Sequence, residues 1–143
     1  MLGIVFSIIA GAAMSFQGVI NTALGNKVGL WEANAFVQGT AFILSVIVTF
    51  LFGKGDVSAF TSANKVYLLG GVLGLVITVT VMLGIKNLSP TVSISIILVS
   101  QLLVAAIIDV FGLFGAEKVA FGLTKYIGLA LICAGIIIFK IKG

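Results

Sequence analysis

The chain has 143 residues, of which 61% are hydrophobic and only 8% are charged, and its net charge is +4. Soluble domains carry roughly 25% charged residues, so this composition excludes a soluble enzyme, a disordered chain and a disulfide-stabilised scaffold. The positive charge comes from scattered lysines rather than a basic stripe, which argues against nucleic-acid binding. The composition therefore predicts a membrane protein.

Five apolar stretches predict five transmembrane helices, because the bilayer core requires about 20 apolar residues per span. Taken in chain order, the predicted helices lie near residues 2–24, 33–52, 66–85, 90–113 and 121–139. The last stretch reaches spanning length only if Lys125 extends its ammonium group to the lipid headgroups. We expect the five helices to form one all-α transmembrane domain over residues 1–143, with the first helix retained rather than cleaved as a signal peptide.

The lysines are divided equally between the two sides of the membrane. Five helices place the termini on opposite sides, so four lysines lie on each: Lys54, Lys65, Lys118 and Lys125 on the N-terminal side, and Lys27, Lys86, Lys140 and Lys142 on the other. An imbalance of these residues normally sets orientation. The equal division indicates either a subtler determinant or dual topology, in which two oppositely inserted copies pair as an antiparallel dimer with ten helices.

Amide side chains recur at i,i+4 spacing and therefore share helix faces. Gln17 and Asn21 do so in the first helix, and Asn34 and Gln38 in the second. Gln101 lies in the fourth helix, whereas the third contains only Thr78 and Thr80 and receives no site residue. Amides often join transmembrane helices by hydrogen bonds, and this structural role is the one we expect for Asn34. We predict Gln17, Asn21, Gln38 and Gln101 as substrate-binding residues.

Two acidic residues are candidates for coupling or ion pairing. Asp109 lies inside the predicted fourth helix, and an intramembrane carboxylate indicates function by default. Glu32 opens the second helix, where an acid also suits the helix dipole and the headgroup region, so we favour the structural role for it over coupling. Counting 1.5 Å per residue, Asp109 and Asn21 lie about 20 Å apart in depth within one copy. In an inverted partner, Asp109 lies at the depth of Asn21 of the first copy.

The last helix resembles the dimerisation helix of small multidrug resistance transporters, in the stretch Gly128-Leu-Ala-Leu-Ile-Cys-Ala-Gly135-Ile. Two further stretches resemble the YdcZ-like family of inner-membrane exporters, in the drug/metabolite transporter superfamily. One begins Gly-Ala-Ala-Met-Ser-Phe-Gln17 and continues through Asn21, and the other joins Gln101-Leu-Leu to Asp109-Val-Phe-Gly-Leu-Phe-Gly. The resemblance implies a five-helix repeat that pairs into a ten-helix fold and exports a small solute. It also implies functional roles for Gln17, Asn21, Gln101 and Asp109, and a packing role for Gly128 and Gly135.

We therefore expect a dual-topology secondary transporter of the inner membrane that exports a small organic solute by alternating access. The alternatives are a small dual-topology ion channel, similar to fluoride channels, and a non-transporting membrane subunit. The partners we expect are the lipid bilayer, a small-molecule substrate and a second copy of the chain. With no histidine and a single cysteine, Cys133, the sequence predicts no metal site, no cofactor and no enzymatic activity.

Overall fold

The computed structural model describes residues 1–141, apart from the side chain of Lys140, so two lysines of the count above, Lys140 and Lys142, lie outside the described side chains. It confirms an all-α chain with five helices, which we number α1 to α5. They are α1 (Leu2–Val28), α2 (Leu30–Phe52), α3 (Gly70–Asn87), α4 (Pro90–Phe111) and α5 (Leu123–Ile141).

The chain divides into two compact units, Met1–Asn87 and Leu88–Gly143. In the first unit α1, α2 and α3 pack against one another, and in the second α4 packs against α5. The single five-helix domain therefore stays a prediction.

The connection between α1 and α2 is a single residue, Gly29, where the sequence predicted a loop over residues 25–32. Gly29 has φ 108° and ψ 151°, a region that is open to glycine almost alone. Because this residue reverses the chain without a loop, the charged residues Lys27 and Glu32 lie inside the terminal helical turns rather than between helices.

Local capping explains the other helix starts. Asp56 and Asn64 each accept a backbone hydrogen bond two residues on and thereby start the 3₁₀ turns Val57–Thr61 and Lys65–Leu69. The second turn leads into α3, which consequently begins at Gly70 rather than near residue 66. At α4 the Ser89 hydroxyl accepts from the amide of Val92, as the Ser-Pro pair predicts.

The second unit is closed by contacts at the ends of its two helices. The amide of Val119 donates to the carbonyl oxygen of Asp109 at 3.0 Å, which folds the connecting segment back on the end of α4. At the start of α5 the Lys125 ammonium lies 5.1 Å from the centre of the Phe121 ring, a cation–π geometry. The expected reach of Lys125 towards the headgroups stays a prediction.

Most apolar side chains face outward. Large apolar side chains are exposed in both units, as Phe16 and Phe42 are in the first, at 71% and 70%, and Leu131 is in the second, at 67%. Among the described residues the buried apolar side chains are only Ala33, Val79, Met82 and Ile85, all in the first unit. An apolar surface of this extent requires lipid or protein around it, as expected of helices in a bilayer.

Candidate functional site

The turn at Gly29 sets the register between α1 and α2. Asn21 precedes it by eight residues and Gln38 follows it by nine, so each lies about 12–14 Å along its helix from the turn. The two predicted binding residues therefore stand at a common level of the antiparallel helix pair.

A side-chain hydrogen bond joins α2 to α3 at this level. The Gln38 amide nitrogen, Nε2, donates to the Thr78 hydroxyl oxygen at 3.4 Å. The Thr78 hydroxyl in turn donates to the carbonyl oxygen of Gly74 at 2.9 Å. These two bonds fix the orientation of the hydroxyl group and place the Gln38 amide against α3.

Gln17 and Asn21 of α1 line one small cavity together with Thr78 of α3. The cavity measures about 40 Å³, and its apolar walls include Met14, Ile77 and Val81. Asn21 is only 6% exposed, whereas Gln17, one turn away, is exposed. Three of the four predicted binding residues are thus connected: Gln17 and Asn21 by the cavity, and Gln38 through its bond to Thr78. For convenience, Gln17, Asn21, Gln38 and Thr78 are called the amide cluster below.

The close approach of α1 to α3 beside the amide cluster depends on Gly18. A Cβ atom on this residue would lie 2.9 Å from Ile85 Cδ1 and 3.1 Å from Val81 Cγ1. Small residues allow transmembrane helices to approach in this way. The packing explains why Gly18 and its neighbours Asn21 and Thr22 are the buried residues of α1.

Asn34, one turn before Gln38 on α2, is 4% exposed, and its Oδ1 atom has no hydrogen-bond donor among the described residues. The interhelical hydrogen bond expected of Asn34 is therefore missing at this oxygen. A buried acceptor without a partner costs about 1–3 kcal/mol, so this position favours the arrival of a donor from water, a solute or another chain.

Charge is kept away from the amide cluster. All of the side chains lining the cavity, which belong to the described part of the chain, are uncharged. Along their own helices, Asn21 lies about 9 Å from Lys27, and Thr78 about 12 Å from Lys86.

In the loop after α2, the Ser58 hydroxyl and amide hydrogen bonds hold the pKa of the Asp56 carboxyl below its ordinary value.

Glu32, a predicted coupling or pairing acid, is exposed in the first turn of α2. Its carboxylate folds back over Gly29, in the space that a Cβ atom on that glycine would occupy. This position suits the positive end of the helix dipole. The structure therefore gives Glu32 a structural contact, and its role in coupling stays a prediction.

The remaining predicted residues belong to the second unit. On α4, Gln101 is exposed and Asp109 is half-buried. On α5, Gly128 and Gly135 both have open space where a Cβ atom would be added. Their roles in substrate binding, coupling and dimer packing stay predictions.

Two other cavities lie in the first unit. One of about 520 Å³ lies at the loop after α2 and is lined by Phe50, Phe60 and Asp56 among others. It is wide open, and both carboxylate oxygens of Asp56 already accept from Ser58. The other, of about 50 Å³, lies near the end of α3 beside Lys86. The polar lining of the first comes from the end of α2 and the loop after it. The second is lined by Asn26 of α1 and by the charged Lys86 of α3, near the ends of these helices. The amide cluster differs from both because it joins uncharged polar side chains of three helices.

Sequence reasoning missed Thr78, which gives the cluster its third helix. One signal could have found it, because Thr78 and Thr80 are the only polar side chains of α3 before its last two residues, Lys86 and Asn87. No regular spacing links it to Gln38, and only the packing of α2 on α3 makes them neighbours.

Among the described residues, no group of three or more His, Cys, Asp or Glu side chains could hold a metal ion.

Four of the five helices are long and apolar enough to cross a bilayer: Leu2–Val28, Leu30–Phe52, Pro90–Phe111, and α3 counted with its preceding turn as Lys65–Asn87. The fifth, counted as Leu123–Phe139, is apolar but shorter. Together with the polar groups inside the spans, these helices define a multi-pass membrane protein.

The particular family follows from the sequence itself. A family model described as "Putative inner membrane exporter, YdcZ" matches residues 2–138, so the chain belongs to this family. The resemblance seen in the sequence is thereby confirmed, and the chain is a multi-pass protein of the inner membrane. No curated protein and no solved structure gives a significant match.

Proposed function

We propose that the chain is a dual-topology secondary transporter, rather than an enzyme, that exports a small organic solute by alternating access. Two oppositely inserted copies would pair to give the ten-helix arrangement of the drug/metabolite transporter superfamily. The observation that carries the proposal is the amide cluster, which brings polar groups of three helices together around the buried Asn21 in a largely apolar unit. Polar groups at this depth are costly unless they serve packing or a substrate.

Unused hydrogen-bonding capacity supports a substrate role over a packing role. Side chains that serve only to join helices use their donors and acceptors in hydrogen bonds to one another. Gln38 and Thr78 use part of their capacity in this way. Gln17 and Asn21, in contrast, line the cavity, and the side-chain hydrogen bonds beside them, those of Thr22, Gln38 and Thr78, involve neither amide. We propose that these amides and Gln38 contact the solute. Gln101 belongs to the second unit and stays a predicted substrate-binding residue.

The lysine balance and the exposed surface support the antiparallel pair. Four lysines on each side leave insertion without a preferred direction, so both orientations become available in the same membrane. The open space beside Gly128 and Gly135 on α5 suits a closely approaching helix of a second copy. In this proposal Asp109, and secondarily Glu32, supplies the titrating or pairing acid.

Flux through proteoliposomes made with the purified chain tests the function. Labelled glycerol, glycerate and serinol share a three-carbon skeleton and differ in charge, and each is offered in a counterflow assay against its unlabelled form. Saturable, protein-dependent exchange of any of the three supports a transporter. Fast fluoride efflux from fluoride-loaded liposomes, without saturation, would instead support the channel. The absence of both fluxes would contradict the proposal and favour a non-transporting subunit.

A further inference from the structure

Within one copy of the chain, no side chain that lines the cavity of the amide cluster can compensate a net charge on a solute. The described lining of the cavity consists of amide, hydroxyl and apolar side chains. Bringing an ion into a low-dielectric site without a counter-charge costs several kcal/mol. A charged solute should consequently bind less tightly in this cavity than an uncharged solute of the same shape.

The same side chains offer both kinds of hydrogen-bonding group. Each carboxamide of Gln17 and Asn21 has two N–H donors and one carbonyl acceptor. The Thr78 hydroxyl already gives its proton to Gly74, so it offers only acceptor capacity, part of which Gln38 occupies. A solute that only donates or only accepts would leave some of these groups unpaired, which costs binding free energy.

The volume of the cavity limits the size of the ligand, or of the part of a ligand, that it encloses. Its 40 Å³ corresponds to about three water molecules, since a cavity needs about 10–15 Å³ for each. Because the cavity is partly open, it accommodates either a ligand of a few non-hydrogen atoms or one end of a longer molecule.

We infer that the amide cluster binds a small uncharged solute that carries both hydrogen-bond donors and acceptors, such as a simple amide or polyol. This inference rests on the proposed function, because it names the substrate class of that site. An uncharged solute is favoured because the cavity lining has no counter-charge, and a solute with both donors and acceptors is favoured because the lining offers both. The apolar walls limit the size of the part of the solute that enters the cavity.

Ligand-observed NMR titration of the full chain in nanodiscs tests the inference with two sets of shape-matched probes. Acetamide, acetate and acetamidinium form one set, with planar polar groups. Glycerol, glycerate and serinol form the other, with a three-carbon chain. We expect the neutral member of at least one set to bind at least about tenfold more tightly than its charged counterparts. Thr78→Val removes the hydroxyl with little change in shape. It should weaken that binding about 2- to 10-fold, the range that one hydrogen bond supplies.

Thr80→Val is the matched control on the same helix. The Thr80 hydroxyl is exposed and donates to carbonyl oxygens of its own helix, so this variant should bind like the wild-type chain. If Thr78→Val fails to fold, Gln17→Ala replaces it, because Gln17 is exposed and its truncation leaves the helix packing intact.

The outcomes separate this inference from the proposed function. Tighter or equal binding of a charged member, or no binding of either neutral probe, would overturn the inference. Equal losses in Thr78→Val and Thr80→Val would also overturn it. Counterflow of a charged probe alone would keep the transporter and reject the substrate class. Binding of a neutral probe without any counterflow would keep the substrate class and reject transport.

Discussion

Replacing Gly29 by alanine should destabilise the helix pair that sets the level of the amide cluster. With φ 108° and ψ 151°, this residue adopts a conformation that costs a non-glycine residue about 1–3 kcal/mol. An added Cβ atom would also overlap the Glu32 carboxylate, which must then rotate away. We expect Gly29→Ala to lower the free energy of unfolding by about 1–3 kcal/mol, a factor of about 5 to 150 in the folded-to-unfolded ratio.

Reversible unfolding by dodecyl sulfate in mixed micelles measures this loss. Gly11→Ala is the matched control, because Gly11 lies inside α1 with no atom within 4 Å of an added Cβ. That variant should be as stable as the wild-type chain or more so, since alanine is the better helix former by about 0.8–1.0 kcal/mol. Glu32→Ala in the Gly29→Ala background relieves the overlap but not the strained φ, so it should restore only part of the stability. If Gly29→Ala and Gly11→Ala unfold at the same detergent fraction, the one-residue turn is wrong.

Three further predictions concern coupling, assembly and insertion. Asp109→Asn, which replaces the carboxyl group by an amide that does not titrate, should remove or alter the pH dependence of counterflow; an unchanged pH profile would reduce Asp109 to a helix-end anchor. Gly135→Leu should weaken the dimer in cross-linking and size measurements, because a bulky side chain prevents close helix approach; an intact, active dimer would make this glycine incidental. Adding two or three lysines around Ala59 and Ser62 should force one orientation, as detected by a C-terminal tag accessible from one face only; a wild-type chain that already has one fixed orientation would remove the dual-topology argument.

The helices were largely predictable because the bilayer imposes a length and a composition on each span. The residues at which the helices begin and end were less predictable. The largest difference between prediction and structure is at Gly29, where a single residue joins α1 to α2. Lys27 lies beyond the predicted end of the first helix but inside α1, and Glu32 lies at the predicted start of the second helix but inside the first turn of α2. Their side chains can reach water from within a terminal helical turn, so a charge does not locate the end of the backbone helix. The strained turn itself depends on tertiary packing of α1 on α2.

The amide cluster was predictable on each helix but not between helices. The i,i+4 spacing places Gln17 beside Asn21 whatever the fold, because it follows from helix geometry alone. The bond from Gln38 to Thr78 requires a register between α2 and α3 that no local pattern encodes. Asn34 shows the opposite error, since an amide suited to join helices leaves its Oδ1 atom without a donor among the described residues.

The antiparallel pairing of two copies is the central claim, and the geometry of α5 allows a direct test. Gly128 and Gly135 are centred on residue 131.5, close to the middle of Leu123–Ile141, so inversion of one copy brings Gly128 opposite Gly135 of its partner. On the same helical face, Thr124 and Phe139 are about 22 Å apart within one copy. They reach equal depth only between oppositely oriented copies.

The measurement is disulfide cross-linking in a Cys133→Ser background between copies carrying Thr124→Cys and copies carrying Phe139→Cys. The antiparallel pair predicts a cross-link when the two variants are co-expressed and none when either is expressed alone. A cross-link between two Thr124→Cys copies would show parallel pairing and contradict the account, and no cross-link in any combination would contradict the α5 interface.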